Sequence, residues 1–230
     1  MKKLAVVSAG VSHPSTSRHV ADTIAAAVSS AVTGRGEALD TTTIEVRDYA
    51  ADLARLMTSG ISSGALDSVR EELSASDGLV AVTPVFQASM SGLFKMFFDA
   101  LDPEALTGMP AIIAATAGTA RHSLVTEYAM RPLLTYMRAI VVPTSLFFAT
   151  EDFGGTGFSS RASRAAAELA DHMVRTHSSV EGLAQPSAPQ PQRTRRSGVD
   201  PEEDFVPFSE LLRGHTGGDA GEHTGDNPVR

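Results

Sequence analysis

The sequence predicts an α/β fold in which helices flank a five-stranded, doubly wound parallel sheet, followed by a flexible C-terminal tail. Short apolar runs bounded by turn residues recur through the first 180 residues, as strands buried on both faces would read. Segments with helically spaced apolar residues separate these runs. Such alternation of strands and helices favours a parallel sheet with helices on both faces.

Each element is predicted from its own pattern. The predicted strands cover residues 4–7, 41–46, 78–82, 110–115 and a fifth, broken at Pro143, at 140–142 and 146–148. The predicted helices cover residues 20–31, 50–58, 65–74, 93–101, 124–137 and 160–176. In the helix at 93–101, an apolar face is predicted from Leu93, Met96, Phe97, Ala100 and Leu101.

Composition and charge argue against several classes of protein. The chain has no cysteine, which excludes disulfides, thiolate metal sites and a cysteine nucleophile. Its net charge of −8 argues against nucleic-acid binding through a basic surface. The sequence contains no apolar run of the roughly eighteen residues that a membrane span needs, and its first apolar run is too short for a signal peptide. We therefore expect no membrane association and a cytoplasmic protein.

Residues 181–230 have the composition of a disordered tail, so the folded domain is predicted to cover residues 1–180. The tail holds six of the twelve prolines and half of the net charge. Its one apolar island, at 205–212, is either a segment that docks on the domain or a neighbouring protomer, or an idle part of the tail. The sequence leaves both interpretations open.

The first loop is a candidate anion site, because ligands of doubly wound sheets bind beyond the carboxyl ends of the strands. It follows a strand and begins a helix, where free backbone N–H groups and hydroxyls suit a phosphate monoester. It lacks the glycine patterns of dinucleotide and Walker sites. The alternative is a plain helix cap. The candidate residues are Ser8, Ser15, Thr16, Ser17 and Arg18.

The loops after the third and fourth strands are candidates for holding a planar ring. Residues 83–95 offer flat apolar surface and polar groups, although a packed turn with Phe86 over the sheet end is the alternative. In residues 116–123, Gly118 permits close backbone approach. His122 is expected to orient or support rather than transfer a proton, and no nearby residues have metal-ligand spacing. The candidate residues are Pro84, Val85, Phe86, Gln87, Thr116, Ala117, Gly118, Thr119 and His122.

Pro132 predicts an irregular helix near Tyr128. Proline lacks an N–H and crowds the carbonyl four residues earlier, and a kink or a single π-helical turn would relieve this strain. The alternative is a helix that begins near Arg131, with Pro132 in its first turn.

Residues 83–95, 115–122 and 127–134, in this order and at this spacing, resemble the NADPH-dependent FMN reductase family. The likeness is greatest to the flavin reductases of two-component monooxygenases, such as the alkanesulfonate and luciferase-like systems, and covers roughly residues 1–178. The first loop departs from the family pattern, because residues 10–12 read Gly-Val-Ser where many members have an arginine soon after the first strand.

The resemblance implies a flavodoxin-like fold that binds FMN non-covalently, with the phosphate in the first loop and the isoalloxazine ring between the other two. It implies an NAD(P)H:FMN oxidoreductase that supplies reduced FMN to a partner flavin-dependent monooxygenase. It also implies a homodimer or homotetramer, with Tyr128 near an interface. Because the cofactor carries the chemistry, no side chain is predicted to be an indispensable acid or base. An FMN-bound quinone or azo-type reductase and a flavodoxin-like electron carrier remain alternatives.

Overall fold

The computed structural model describes residues 1–152, 157–174 and 195–199 of the 230-residue chain. The strands are β1 (Lys2–Ser8), β2 (Leu39–Glu45), β3 (Gly78–Phe86), β4 (Ser89–Met90), β5 (Pro110–Ala117), β6 (Ile140–Val141) and β7 (Leu146–Ala149). The α-helices are α1 (Thr16–Thr33), α2 (Ala50–Ser59), α3 (Gly64–Ser74), α4 (Gly92–Asp99), α5 (Arg131–Tyr136) and α6 (Gly157–Met173). A π-helical turn, Thr126–Met130, leads into α5, and 3₁₀ turns cover Val46–Tyr49, Ala120–His122 and Thr150–Asp152.

The strands form a sheet in the order β2–β1–β3–β5–β6, and every pairing along that path is parallel. Strand β7 also pairs in parallel with β5, so β6 and β7 are two pieces of one fifth strand interrupted around Pro143. Strand β4 adds a short antiparallel hairpin to the end of β3. With β6 and β7 counted as one, the parallel strands have the flavodoxin-like order, and this confirms the predicted fold class.

Two hydrophobic cores lie on opposite faces of the sheet, because alternate residues of the buried strands point to opposite sides. Strand residues such as Val7, Leu79 and Ile113 pack against α2, α3, α4 and α5. Strand residues such as Val6 and Val80 pack against α1 and the alanine-rich α6. The sheet is therefore covered on both faces, and only its edges and strand ends reach solvent.

The apolar face predicted for the helix at 93–101 is confirmed in part. Phe97, Ala100 and Leu101 are buried, whereas Leu93 and Met96 are half-buried. Phe94 and Phe98, which lie outside the predicted face, are also buried, and their rings lie 4.6 Å apart, one helical turn from each other. The buried surface is therefore broader than predicted, because these two rings also fill the core.

The compact unit that carries all of the described residues ends at Val199. The apolar island predicted at 205–212 lies outside the described residues, as do residues 175–194. Within the described ranges, the longest helices are too short or too polar to cross a membrane.

Candidate functional site

The carboxyl ends of β1, β3 and β5 meet at one edge of the sheet, because the three strands are parallel neighbours. A buried hydrogen bond joins two of the segments that follow them: the Ser17 and Thr116 hydroxyl oxygens lie 2.8 Å apart. Both side chains are at most 5% exposed. The structure thus brings the predicted first and third loops into direct contact.

The segment after β1 presents polar groups that the protein leaves without partners. Ser8 is fully buried, and its Oγ has no hydrogen-bond partner among the described residues. Ser15 caps α1, because its Oγ accepts the Arg18 N–H at 3.2 Å. The amides of Thr16 and Ser17 open the helix, where the helical pattern leaves N–H groups without acceptors. This arrangement suits an anion at the helix N-terminus.

Gly10 is required by close packing inside this segment. A Cβ built at Gly10 would lie 2.0 Å from Ser15 Oγ, far inside van der Waals contact. The backbone after β1 therefore passes directly against the capping residue of α1, which keeps the segment compact.

Arg18 is turned toward carboxylates and away from the loop. Its Nε donates to Asp22 at 2.8 Å and its Nη1 to Glu45 at 2.6 Å. Hydrogen bonds to Asp22 and Glu45 raise the pKa of the Arg18 guanidinium above its ordinary value. Arg18 thus remains charged, but its charge is already paired.

Glu45 and Arg47 complete a network at this edge that the sequence interpretation missed. Glu45 pairs with Arg18 and, at 3.0 Å, with Arg47. Arg47 also donates to the Ser12 carbonyl oxygen at 2.9 Å and so holds the segment after β1. The sequence does contain a signal for these two residues, because Glu45 ends the β-branched strand β2 and Arg47 follows it, at the same edge as the end of β1. The sequence interpretation placed the site only in the loops after the first, third and fourth predicted strands.

The predicted second loop is a β-hairpin in its first half, and its interpretation as a simple loop was wrong. Strand β3 continues through Pro84 and Val85 to Phe86, which pairs with Ser89 across a two-residue turn. The turn residues Gln87 and Ala88 have φ of 49° and 62°, the left-handed values of a type I′ turn. Phe86 is 48% exposed and leaves an aromatic ring beside the turn.

Buried hydroxyls join the hairpin to α4. The Ser91 N–H donates to Thr83 Oγ1 at 3.0 Å, and the Ser91 hydroxyl caps α4 by accepting the Phe94 N–H. The hairpin is therefore fixed at both ends, and the strain of two non-glycine residues at positive φ is held by surrounding structure.

The segment after β5 is held by hydrogen bonds at its far end. Thr119 accepts the Arg121 N–H at 3.3 Å, and the Ala120 N–H donates to Glu151 at 3.1 Å. A Cβ at Gly118 would meet no protein atom within 4 Å, so packing does not require glycine there. The half-buried His122 ring has no hydrogen-bond partner among the described residues. Glu151 is a third residue that the sequence interpretation missed, after Glu45 and Arg47.

A cleft of about 350 Å³ lies beside these segments, between the hairpin turn and the π-helical turn. Its lining consists of Ala88, Ser89, Arg121, His122, Leu124, Val125, Tyr128 and Ala129. The Arg121 side chain is exposed and makes no ion pair or hydrogen bond with the described residues. Among the described residues that line the cleft, Arg121 is therefore a cation that can bind a ligand.

The predicted π-helical turn is confirmed. The Arg131 N–H donates to the Thr126 carbonyl oxygen five residues earlier, and α5 begins directly afterwards with Pro132 in its first turn. Glu127 and Arg131 form a bidentate pair at 2.6 and 3.0 Å, and this pair lowers the pKa of the Glu127 carboxyl below its ordinary value of 4.5. Tyr128 is 78% exposed.

The chain is similar to known proteins in both sequence and fold. The sequence model described as NADPH-dependent FMN reductase matches residues 2–154. An FMN reductase (NADPH) of Pseudomonas aeruginosa is 32% identical over 66% of this chain and 78% of its own. A crystal structure of an oxidoreductase from Corynebacterium diphtheriae has a TM-score of 0.74 and 59% identity, covering 75% of this chain and 97% of that one. The apo form of an NADH:FMN oxidoreductase, EmoB, shares the fold with a TM-score of 0.68 and 24% identity, covering 89% and 100% of the two chains.

Proposed function

The chain belongs to the NADPH-dependent FMN reductase family, and we propose that, as an NAD(P)H:FMN oxidoreductase, it supplies reduced FMN to a partner flavin-dependent monooxygenase. The observation that carries the flavin site is the convergence of three strand ends at one edge of the sheet, where Ser17 and Thr116 are hydrogen-bonded. Ligands of this fold bind at that edge.

The residues at this edge fit the two ends of FMN. A phosphate at the start of α1 would accept hydrogen bonds from the Thr16 and Ser17 amides and from the hydroxyls of Ser15, Thr16 and Ser17. The buried Ser8 hydroxyl, which lacks a protein partner, supports a polar ligand nearby. For the isoalloxazine ring we propose the space between the hairpin and the segment after β5. The residues assigned to it are Pro84, Val85, Phe86, Gln87, Thr116, Ala117, Gly118, Thr119 and His122.

Arg18 contributes to this site through the helix it belongs to rather than as a direct counter-ion. Its guanidinium is already paired with Asp22 and Glu45. Neutral donors and the α1 dipole would therefore carry the phosphate, which favours reversible over very tight binding. Reversible binding is what a reductase that releases its flavin requires.

The protein's part in the reaction is binding and orientation. Bound FMN supplies the redox chemistry by accepting a hydride from the nicotinamide ring of NAD(P)H. The hairpin and the segment after β5 would hold the ring plane, and the apolar side chains Val85 and Phe86 would limit water beside it. No described pair of acidic or basic side chains is positioned for proton transfer at this edge, so we assign no acid or base.

We assign the pyridine nucleotide to the cleft beside the hairpin turn. Arg121 lines it, and its unpaired guanidinium suits a phosphate of the dinucleotide. Dinucleotide and flavin would then approach each other across Ser89 and His122, from the cleft and the sheet edge respectively.

We further propose a cytoplasmic homodimer or homotetramer. Leu124, Tyr128, Tyr136 and Ile140 are exposed, large apolar side chains four or eight residues apart along and after the π-helical turn. Such a stripe supports contact with a second copy. The cytoplasm is where NAD(P)H is available.

The activity is tested by following NADH and NADPH oxidation with free FMN, with a quinone, and with neither acceptor. We expect rapid turnover only with FMN. Preference for the quinone would instead favour a quinone-type reductase, and absence of pyridine-nucleotide oxidation would favour an electron carrier.

Release of flavin is tested separately by fluorescence titration of FMN and by gel filtration of the loaded protein. We expect micromolar, reversible binding and loss of yellow colour on the column. Flavin retained through gel filtration would contradict the supply of a diffusible product.

A further inference from the structure

Residues 195–199 lie against the body of the protein through the half-buried Arg195. Arg195 Nε donates to the Thr107 carbonyl oxygen at 3.1 Å, and Nη1 donates to the carbonyl oxygens of Ser74, at 3.4 Å, and Ser76. Ser74 is the last residue of α3, and the Arg195 guanidinium satisfies its carbonyl oxygen. A cation at this position also complements the negative end of the helix dipole.

An arginine of the body also donates a hydrogen bond to residues 195–199. Arg70 of α3 is 9% exposed and donates from Nη2 to the Gly198 carbonyl oxygen at 3.1 Å, while Nη1 pairs with Asp67 at 3.2 Å. The segment thus accepts from one arginine of the body and donates from its own.

Gly198 fits this contact for two reasons. Its φ of +69° belongs to the left-handed region that favours glycine. A Cβ there would also lie 2.8 Å from Arg70 Nη2 and 3.0 Å from Asp102 Cβ. A Cβ at 198 would therefore displace the Arg70 guanidinium, which donates to the Gly198 carbonyl oxygen.

The contact is at the amino ends of the strands, opposite the proposed flavin edge. Ser76 precedes β3, and Thr107 precedes β5. Burial lowers the pKa of Arg195, although Asp77 acts in the opposite direction. The groove between the end of α3 and residues 102–107 therefore offers carbonyl oxygens to a cation in a partly desolvated place.

We propose that this groove is a docking surface for an Arg-x-x-Gly segment, and that its occupant is the chain's own Arg195–Gly198. The three carbonyl oxygens match the several N–H donors of a guanidinium. An ammonium group would satisfy these carbonyl oxygens less completely. The docked segment holds residues 195–199 at the amino ends of the strands, at the opposite end of the sheet from the proposed flavin site and independently of the flavin chemistry.

The test compares four full-length variants by limited proteolysis and by hydrogen exchange of peptides covering residues 74–78 and 105–109. Arg195→Ala is expected to speed cleavage between residues 175 and 199 and exchange in both peptides by about tenfold, the effect of losing charge-assisted hydrogen bonds. Gly198→Ala is expected to have a similar effect, and Arg195→Lys a smaller one. Arg164→Ala, the matched control, removes the same charge from an exposed arginine of α6 that makes no ion pair or hydrogen bond with the described residues, and is expected to change neither rate.

Equal effects of Arg195→Ala and Arg164→Ala would overturn the proposal, as would unchanged protection in both Arg195→Ala and Gly198→Ala. Exchange rates that do not change on hundredfold dilution support docking within one chain. Loss of protection on dilution would show that a second copy supplies the segment and would overturn the assigned occupant. FMN-dependent NAD(P)H oxidation is expected to be unchanged in all four variants.

Discussion

At the residue scale, the buried pair of Ser17 and Thr116 links the proposed phosphate and ring ends of the flavin site. Ser17→Ala leaves the Thr116 hydroxyl buried without its partner, which is expected to cost about 1–3 kcal/mol of unfolding free energy. Urea denaturation measures this cost. The double variant Ser17→Ala/Thr116→Val is expected to lose less than the sum of the two single variants.

Ser30→Ala is the control for this pair, because Ser30 is an exposed residue of the same helix. It is expected to change the free energy of unfolding by less than about 0.5 kcal/mol. Additive effects in the double variant would show that the two hydroxyl groups do not depend on each other.

Arg121 is the residue with which the cleft would select its nucleotide. Arg121→Ala is expected to raise the KM for NADPH about tenfold, because one charge-assisted contact to phosphate is lost, with kcat and FMN affinity unchanged. A smaller rise for NADH would identify the 2′-phosphate as the group contacted. Steady-state kinetics with both nucleotides measures the difference.

Two variants accompany this measurement. Arg164→Ala removes an exposed arginine of α6, outside the cleft, and is expected to leave both KM values unchanged. His122→Ala is expected to lower turnover by much less than a hundredfold. A hundredfold loss with intact FMN binding would show that His122 acts as an acid or base.

At the scale of elements, the hairpin turn carries backbone strain. Ala88 has φ of 62°, and an L-residue in the left-handed region costs about 1 kcal/mol or more relative to glycine. Ala88→Gly is therefore expected to raise the free energy of unfolding by roughly 0.5–1 kcal/mol, measured by urea denaturation.

Ala54→Gly is the matched control for the turn, because Ala54 is exposed in the middle of α2. The same substitution there is expected to lower stability by about 1 kcal/mol. If both variants are destabilised alike, Ala88 is not strained.

The π-helical turn is expected to confer acid sensitivity through Glu127. The pairing with Arg131 lowers the folded pKa of Glu127 below 4.5, so its contribution to stability is present above that pH and is lost as pH falls through the lowered value. Because both side chains are partly exposed, the contribution at pH 7 is expected to be below about 1 kcal/mol.

Urea midpoints of the wild type and Glu127→Gln, measured at neutral pH and near pH 3, test this expectation. The difference between the two proteins should shrink at the lower pH. Glu71→Gln removes an exposed glutamate of α3 that makes no ion pair with the described residues, and should show no such change. A constant difference at both pH values would exclude the ion pair as its cause.

At the scale of the whole molecule, the sequence predicted the sheet because its central strands are buried on both faces and read as unbroken apolar runs. The break in the fifth strand followed from Pro143, and the π-helical turn followed from Pro132. Local chemistry was sufficient in these cases, because each constraint acts within a few residues.

Features that depend on distant residues were not visible in the sequence. Arg18 was predicted to face the anion because Glu45, 27 residues away, gives no local signal of its pairing. The hairpin was missed because Gln87 and Ala88 lack the Asn and Gly that normally mark a type I′ turn. The sequence interpretation placed Arg195 in the tail on composition alone, because its hydrogen-bond partners lie 88 to 121 residues away and give no local signal.

The exposed apolar stripe is the surface on which the proposed homodimer or homotetramer depends. Tyr128→Arg places a charge in the middle of this stripe, and a smaller species than the wild type is expected in light scattering after gel filtration. Met57→Arg is the control, because it changes an exposed side chain of α2. Tyr49→Arg would not serve, because Tyr49 packs against the core. An unchanged mass for Tyr128→Arg would exclude the stripe as the interface.

The position of β1 between β2 and β3 has a consequence for how the chain folds. Leu4 pairs with Gly78 on one side and Thr41 on the other, so the first strand made is completed only after β3 has been synthesised. Pairings of such high contact order are slow to form. During synthesis the apolar β1 strand is therefore expected to remain open along one side for many residues, and early folding should depend on chaperones more than the stability of the finished sheet would suggest.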